Sequence, residues 1–316
     1  IFCTLGPSSL NDIFFRKIKK HNIELFRINL SHTEIKDLKN IINYIKKKTN
    51  VPICIDTEGA QIRTRFKNKK LLKINKFIKI DNNDKSNNLS FYPDIYNQLS
   101  LNMILDIGFE NLQIKITKKE KNCFLAKIIS EGHLEKNKGV HINNGSITLP
   151  ILTNKDLEAI KIAKKMKINN FALSFTNSPK DIFFFNKILS KERKIIKIET
   201  KKAVKNIEKI LKHCDEILID RGDLSKEINI IEVPKAQRKI QKIANKKDKK
   251  VYIATNLLES MVSKPYPTRA EINDIYNCLE LGADGLVLAA ETAVGKWPLE
   301  CIKIMSDVIK NYSKAI

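Results

Sequence analysis

Ile195-Ile196-Lys197-Ile198-Glu199 is a short apolar run that carries two charges two residues apart. Side chains alternate across a strand, so Lys197 and Glu199 share one face while Ile196 and Ile198 take the other. Charges that face a protein interior need partners, because burying them alone is costly. Runs of the same kind lie on both sides: Ile1–Thr4, Leu25–Leu30, Val51–Ile55, Phe171–Phe175, Glu216–Ile219, Val251–Ala254 and Gly285–Leu288. Together they make eight candidate strands, each ending in polar or small residues.

Helical patterns separate most of the strands. Asn11–Ile18 carries Ile13, Phe14, Phe15 and Ile18; Asp156–Met166 follows a Thr153-x-x-Asp156 start; Pro234–Ala244 continues the alternation. Arg269–Leu281 opens on the capping box Thr268-x-x-Glu271 and stops at Gly282. Alternating strands and helices give parallel strands with crossover helices. Eight such strands fit an α/β fold, a (β/α)8 TIM barrel of about 250 residues. A doubly wound open sheet is the alternative.

From Ala60 to Asn144 the period changes to two, as in Leu72-Lys73-Ile74, Phe77–Ile80, Leu112–Ile116 and Leu125–Ile129, with the turn cluster Asp81–Asp84 between them. A small all-β domain, a β-barrel, is therefore expected at 60–144, inserted after the third strand. The catalytic barrel takes 1–59 and 145–316.

The 316 residues include 42% hydrophobic and 29% charged side chains, the balance of a globular chain and not of a disordered one. No apolar run is long enough to span a membrane. The chain opens on a strand without an initiator Met, so no signal peptide is read, and cytoplasm is expected with an organelle left open. Six scattered cysteines form no CxxC pair, which argues against a zinc site or a disulfide framework. The net charge of +23 comes from lysines spread everywhere, as in Lys46-Lys47-Lys48 and Lys246-Lys247, with no nucleic-acid-binding motif. A coding bias toward lysine, with some steering of anions, explains it better than a nucleic-acid partner.

Barrels carry function at the carboxyl ends of their strands. Those ends read Arg27-Ile28-Asn29-Leu30-Ser31-His32, Asp56-Thr57-Glu58-Gly59, Lys197-Ile198-Glu199, Asp220-Arg221-Gly222-Asp223, Thr255-Asn256 and Glu291-Thr292. Lys197 and Glu199 alone could be a mutual ion pair. Asp223, arriving from the next strand, makes a hard-cation site for Mg²⁺ the stronger reading, with the lysine placed to neutralise a phosphoryl group. Arg27, Asn29, Ser31 and Asp56 form a second polar cluster suited to phosphate and a cation. Loop capping and an Arg–Asp pair are the plain reading of each taken singly. His32 is an acid–base candidate or a hydrogen-bonded loop residue, Glu259 a brace for a short helix, and Trp297 a packing residue.

In this order the segments resemble pyruvate kinase. Cys3–Ser9 is similar to that family's opening strand and turn, Arg27–His32 to RxNFSH, and Asp56–Thr64 to DTKGPEIRT. Lys197–Glu199, Arg221–Leu224, Ala254–Met261 and Lys264–Glu271 follow. The resemblance implies phosphoryl transfer from phosphoenolpyruvate to ADP in glycolysis, giving pyruvate and ATP, by a barrel with a β lid. It implies Mg²⁺ on Glu199 and Asp223, and Lys197 stabilising the phosphoryl group and enolate. Arg27 grips the phosphate. Gly222, Asp223 and Thr255 bind the substrate carboxylate, with Thr255 near the carbon that gains a proton. Asn29, Ser31, Asp56 and Thr57 would hold K⁺, and Arg63, Lys138 and His32 would meet the nucleotide. A homo-oligomer is expected.

The chain departs from the family at named places. Glu58 stands for Lys, Ala60 for Pro, and Gln61 for a Glu that tracks K⁺ dependence. Ile107 replaces an Asp, His141–Asn144 departs from NLPG, and Ala289-Ala290 replaces Ser-Gly. Asp220 occupies a position where the family usually has a small residue, and Ser225 stands for Gly. The family's C-terminal domain has no counterpart after the eighth strand and its helix, so effector control by that route is not expected. A Mg²⁺-dependent aldolase-type barrel acting on pyruvate or its enolate, and a degenerate non-catalytic remnant of the kinase, are the alternatives.

Overall fold

The computed structural model describes residues 1–83, 87–108, 112–145 and 147–315; Asp84 of the expected turn cluster lies outside them. The chain divides into two compact units, Ile1–Gly59 with Ile151–Ile316, and Ala60–Pro150.

The first unit is a closed barrel of eight parallel strands. They are Phe2–Thr4 (β1), Leu25–Asn29 (β2), Ile53–Asp56 (β3), Asn170–Leu173 (β4), Arg193–Ile198 (β5), Glu216–Asp220 (β6), Lys250–Ala254 (β7) and Gly285–Leu288 (β8). All eight runs singled out in the sequence are strands here, and the open sheet is excluded. Both expected capping boxes form, on the helices Asn154–Lys165 and Arg269–Glu280.

Two apolar shells hold the barrel. Outward-facing Ile28, Ile55, Leu173, Ile196, Ile198, Ile217, Ile219, Ile253 and Leu288 pack into the main core with the helices. Phe2, Leu25, Cys54, Ala172, Ile195, Leu218, Tyr252, Ala254 and Val287 form a separate cluster at the alternate positions, which fills the barrel interior. Beneath it Arg193, Glu216 and Tyr252 hydrogen-bond to one another at the amino ends of the strands.

The small unit has its own core around Leu105, Ile114, Ala126 and Ile128. Its ladders fall into separate groups. Among the described residues they give a five-stranded sheet (140–142, 104–107, 112–119, 124–130 and 77–80) and two two-stranded ribbons. Single bridges tie the ribbon of 63–65 and 90–92 to both edges of that sheet: Leu89 N donates to Lys79 O and Asp81 N to Leu89 O at one edge, and Val140 N donates to Ile62 O and Thr64 N to Lys138 O at the other. The unit also runs past residue 144. Gln98 exchanges two hydrogen bonds with Thr148, and Ile147 and Leu149 pack on the core, so these residues stay with the sheet through Pro150.

Candidate active site

The interior changes character within one step of the strand period. Two residues beyond Phe2, Leu25, Cys54, Ala172, Ile195 and Leu218 stand Thr4, Arg27, Asp56, Ser174, Lys197 and Asp220, all buried. Apolar filling gives way to a polar layer because the chain continues the same inward face. Glu199, two residues past Lys197, is fully buried above it.

This layer is one network. Arg27 Nε donates to Asp56 Oδ2 at 2.6 Å, Nη2 pairs with the same carboxylate, and Nη1 donates to Thr4 Oγ1 at 2.9 Å. Lys197 Nζ lies 3.3 Å from Glu199 Oε1, 3.5 Å from Asp56 Oδ1 and 3.6 Å from Asp220 Oδ2. It also reaches Ser174 Oγ at 3.1 Å. Burial opposes the Lys197 charge, but the carboxylates of Asp56, Glu199 and Asp220 outweigh it and hold the pKa above the ordinary lysine value.

Glu199 carries the opposite imbalance. Burial pushes its carboxyl up to about 8; Lys197 opposes this, while Asp223, Asp220 and Asp56 add to it. Its Oε2 accepts from Phe175 N at 3.3 Å; its buried Oε1 accepts no hydrogen bond and has only the ion pair with Lys197 at 3.3 Å. Oxygens of Glu199, Asp220 and Asp223 lie within 4.8 Å of one another. Ligand oxygens on one octahedral Mg²⁺ stand roughly 3–4 Å apart, so a small contraction would bring all three onto one ion. A buried oxygen without a hydrogen bond, held only by an ion pair among clustered carboxylates, fits a hard divalent cation.

Asp223 comes from the first turn of the helix Arg221–Glu227, not from a strand, and its Oδ1 pairs with Lys226 at 2.7 Å. Gly222 N donates to Thr255 Oγ1 at 2.7 Å, and a Cβ on Gly222 would stand 3.3 Å from that oxygen. Thr255 has φ +69° and Asn256 φ +55°. A β-branched residue in the left-handed region is strained, and strain of this kind collects at functional sites. Arg221 clamps the turn by donating twice to Thr255 O, at 3.1 and 2.7 Å.

The other expected residues are placed differently. Asn29 and Asp56 are register partners on β2 and β3. Asn29 Oδ1 accepts from Ser31 N, and Thr57 Oγ1 accepts from Ser174 N. Ser31 and His32 are exposed on a short 3-10 turn. The oxygens of Asn29, Ser31, Asp56 and Thr57 have the right chemistry for a hard monovalent ion, but none is a buried oxygen lacking a hydrogen bond, as Glu199 Oε1 is. Arg63 and Lys138 belong to the small unit. There Lys138 O accepts from Thr64 N, Lys138 pairs with Glu135, and Arg63 donates to Gln61 Oε1 at 2.5 Å.

Ser174 and Thr4 were missed by the sequence reading, and Asp220 was quoted at a strand end and as a departure but given no role. The signal was available: counting two residues on from the inward apolar position of each strand finds all three.

Residues 1–302 match the family model for the pyruvate kinase barrel domain. Pyruvate kinase of Thermotoga maritima is 36% identical, over all of this chain and 71% of its own length. Those of Staphylococcus epidermidis and Staphylococcus aureus are 30% and 32% identical over 98% of this chain. The chain spans 56% of the length of each staphylococcal protein. With its eight-stranded barrel and this match over nearly its whole length, the chain belongs to the pyruvate kinase family.

Proposed function

We propose that the carboxyl end of the barrel transfers a phosphoryl group from phosphoenolpyruvate to ADP, giving pyruvate and ATP, as a step of glycolysis. The observation that carries this reading is Lys197 held among the buried carboxylates of Asp56, Glu199 and Asp220, with Glu199 Oε1 lacking any hydrogen bond. Glu199 and Asp223 hold Mg²⁺. When bound, that ion offsets the charge on the substrate oxygens.

Lys197 faces the transferring group as an ammonium, which its carboxylate neighbours favour, and stabilises the charge that builds on the phosphoryl oxygens and on the enolate. Arg27 keeps its orientation through Asp56 and Thr4 and turns its remaining terminal N–H groups to the phosphate. An oxygen of the ADP β-phosphate attacks phosphorus, the bond from phosphorus to the enol oxygen breaks, and the enolate then takes a proton on carbon. Gly222, Asp223 and Thr255 orient the carboxylate end of the substrate. Thr255 Oγ1, fixed by Gly222 N, lies on the side where the proton arrives. Asn29, Ser31, Asp56 and Thr57 hold K⁺. Arg63, Lys138 and His32 are the candidate nucleotide contacts that the family resemblance supplies.

A coupled assay of pyruvate formation from phosphoenolpyruvate, ADP and Mg²⁺, with and without K⁺, tests the reading. Activity that Lys197→Met lowers by about a thousandfold or more supports it. Absence of turnover, or activity unchanged in Lys197→Met, sinks it. Binding of Mg²⁺ and phosphoenolpyruvate without turnover would identify a non-catalytic remnant. Carbon–carbon cleavage without a nucleotide would identify an aldolase-type enzyme.

A further inference from the structure

We infer that Asp220 is a third carboxylate ligand of the divalent cation, so that this chain holds the ion more tightly than a two-carboxylate centre would. The inference rests on the reading of Glu199 and Asp223 as the divalent site and adds a residue that the family pattern does not supply. Three features carry it. Asp220 is the last residue of β6 and occupies the inward position two beyond Leu218, so strand alternation turns its carboxylate into the polar layer. Its carboxylate clusters with those of Glu199 and Asp223, oxygens within 4.8 Å. The cluster also contains a buried oxygen, Glu199 Oε1, that accepts no hydrogen bond and has only the 3.3 Å ion pair with Lys197.

The competing role is structural. Asp220 Oδ1 accepts from Asp223 N at 3.5 Å and from Thr255 Oγ1 at 3.3 Å, and Oδ2 lies 3.6 Å from Lys197 Nζ. These contacts are long for hydrogen bonds and leave Oδ2 with only a loose ion pair. Lys197 already has Asp56 and Glu199 within 3.5 Å, so it does not depend on Asp220 for a counterion. Charge points the same way. Arg27 and Lys197 balance Asp56 and Glu199, and Lys226 balances Asp223, which leaves Asp220 as the excess negative charge of the cluster. Affinity for hard cations rises with the number of charged oxygen ligands.

The test is direct binding of Mn²⁺, followed by electron paramagnetic resonance on the whole chain without substrate, so that it does not depend on turnover. Asp220→Asn preserves shape and can still accept the two long hydrogen bonds. Asp220→Ala restores the small residue usual in the family and so is expected to fold; thermal melting checks both. Each should weaken Mn²⁺ binding about tenfold or more, as should Glu199→Gln. Wild-type affinity in both Asp220 variants with weakened binding in Glu199→Gln overturns the inference and leaves the kinase reading standing. Wild-type affinity in all three overturns both. A readout on the unmutated chain stands beside these. Three carboxylates on an octahedral ion leave about three bound waters, and two leave about four. Pulsed measurements that count four waters also overturn the inference.

Discussion

Arg27 and Asp56 are register neighbours in the barrel interior, and the Arg27 Nε–H points at Asp56 Oδ2 from 2.6 Å with both side chains almost wholly buried. Asp56 also faces Lys197 at 3.5 Å. Its removal would leave a guanidinium inside the barrel with only Thr4 among its present partners. Breaking one side of a buried pair costs about 3–5 kcal/mol, far more than the pair itself contributes. Asp56→Ala should therefore lose stability of that order in urea unfolding. A loss below about 1 kcal/mol would show that the barrel rehydrates around Arg27.

Ser174 ties three elements of the site together. Its Oγ donates to Thr57 O at 2.6 Å and lies 3.1 Å from Lys197 Nζ, while its own N–H is taken by Thr57 Oγ1. Ser174→Ala orphans the Thr57 carbonyl and removes one of the groups that fix the lysine. Stability should fall by about 1–3 kcal/mol. Turnover should fall roughly tenfold, the equivalent of about 1.4 kcal/mol in the transition state, with KM little changed. A change in KM alone would place Ser174 in substrate binding instead.

The barrel was legible because its signal repeats: eight apolar runs, each with a polar end, at intervals that admit a helix. Lys197 and Glu199 were legible for the same reason, since a two-residue spacing on a strand fixes a shared face. Ser174 and Thr4 escaped because a lone serine or threonine at a strand end has a commoner role as a turn former; only closure of the barrel brings them to Lys197 and Arg27. The boundary at residue 150 escaped because Gln98 and Thr148 meet through side-chain amide and backbone, a contact that leaves no periodic trace. The order of the small unit's strands was hidden as well, since alternation reports which residues face inward and not which strands pair.

Thr255 holds its left-handed backbone, φ +69°, while its Oγ1 accepts from Gly222 N at 2.7 Å. The hydroxyl, and not the methyl, justifies a β-branched residue there. Thr255→Ser should keep stability within about 1 kcal/mol and keep activity. Thr255→Val, the same shape without the acceptor, should lose about 1–3 kcal/mol and most of the turnover. Equal behaviour of the two variants in unfolding and in the coupled assay would contradict this account.

Glu271 closes the capping box of Arg269–Glu280 and also reaches back to the loop before it. Its carboxylate accepts from Thr268 N at 2.7 Å, Ser260 N at 2.7 Å and Ser260 Oγ at 2.6 Å. Burial raises its pKa, but these hydrogen bonds outweigh it and hold the group below the ordinary 4.5. A depressed carboxylate contributes stability that is fully present above the unfolded value and is lost as pH falls through the folded one. Glu271→Gln removes the charge and keeps one acceptor oxygen, while its NH2 faces a donor on the other side, so it removes what ionisation supplies: the charge and the second full acceptor. At neutral pH the variant should be less stable by about 1 kcal/mol. That gap should narrow as the solution is acidified below 4.5 and close once Glu271 is protonated in the folded chain. Urea unfolding at neutral pH and at about pH 3.5 measures it; a gap of the same size at both would mean that the charge on Glu271 contributes nothing to holding Ser260 and Thr268.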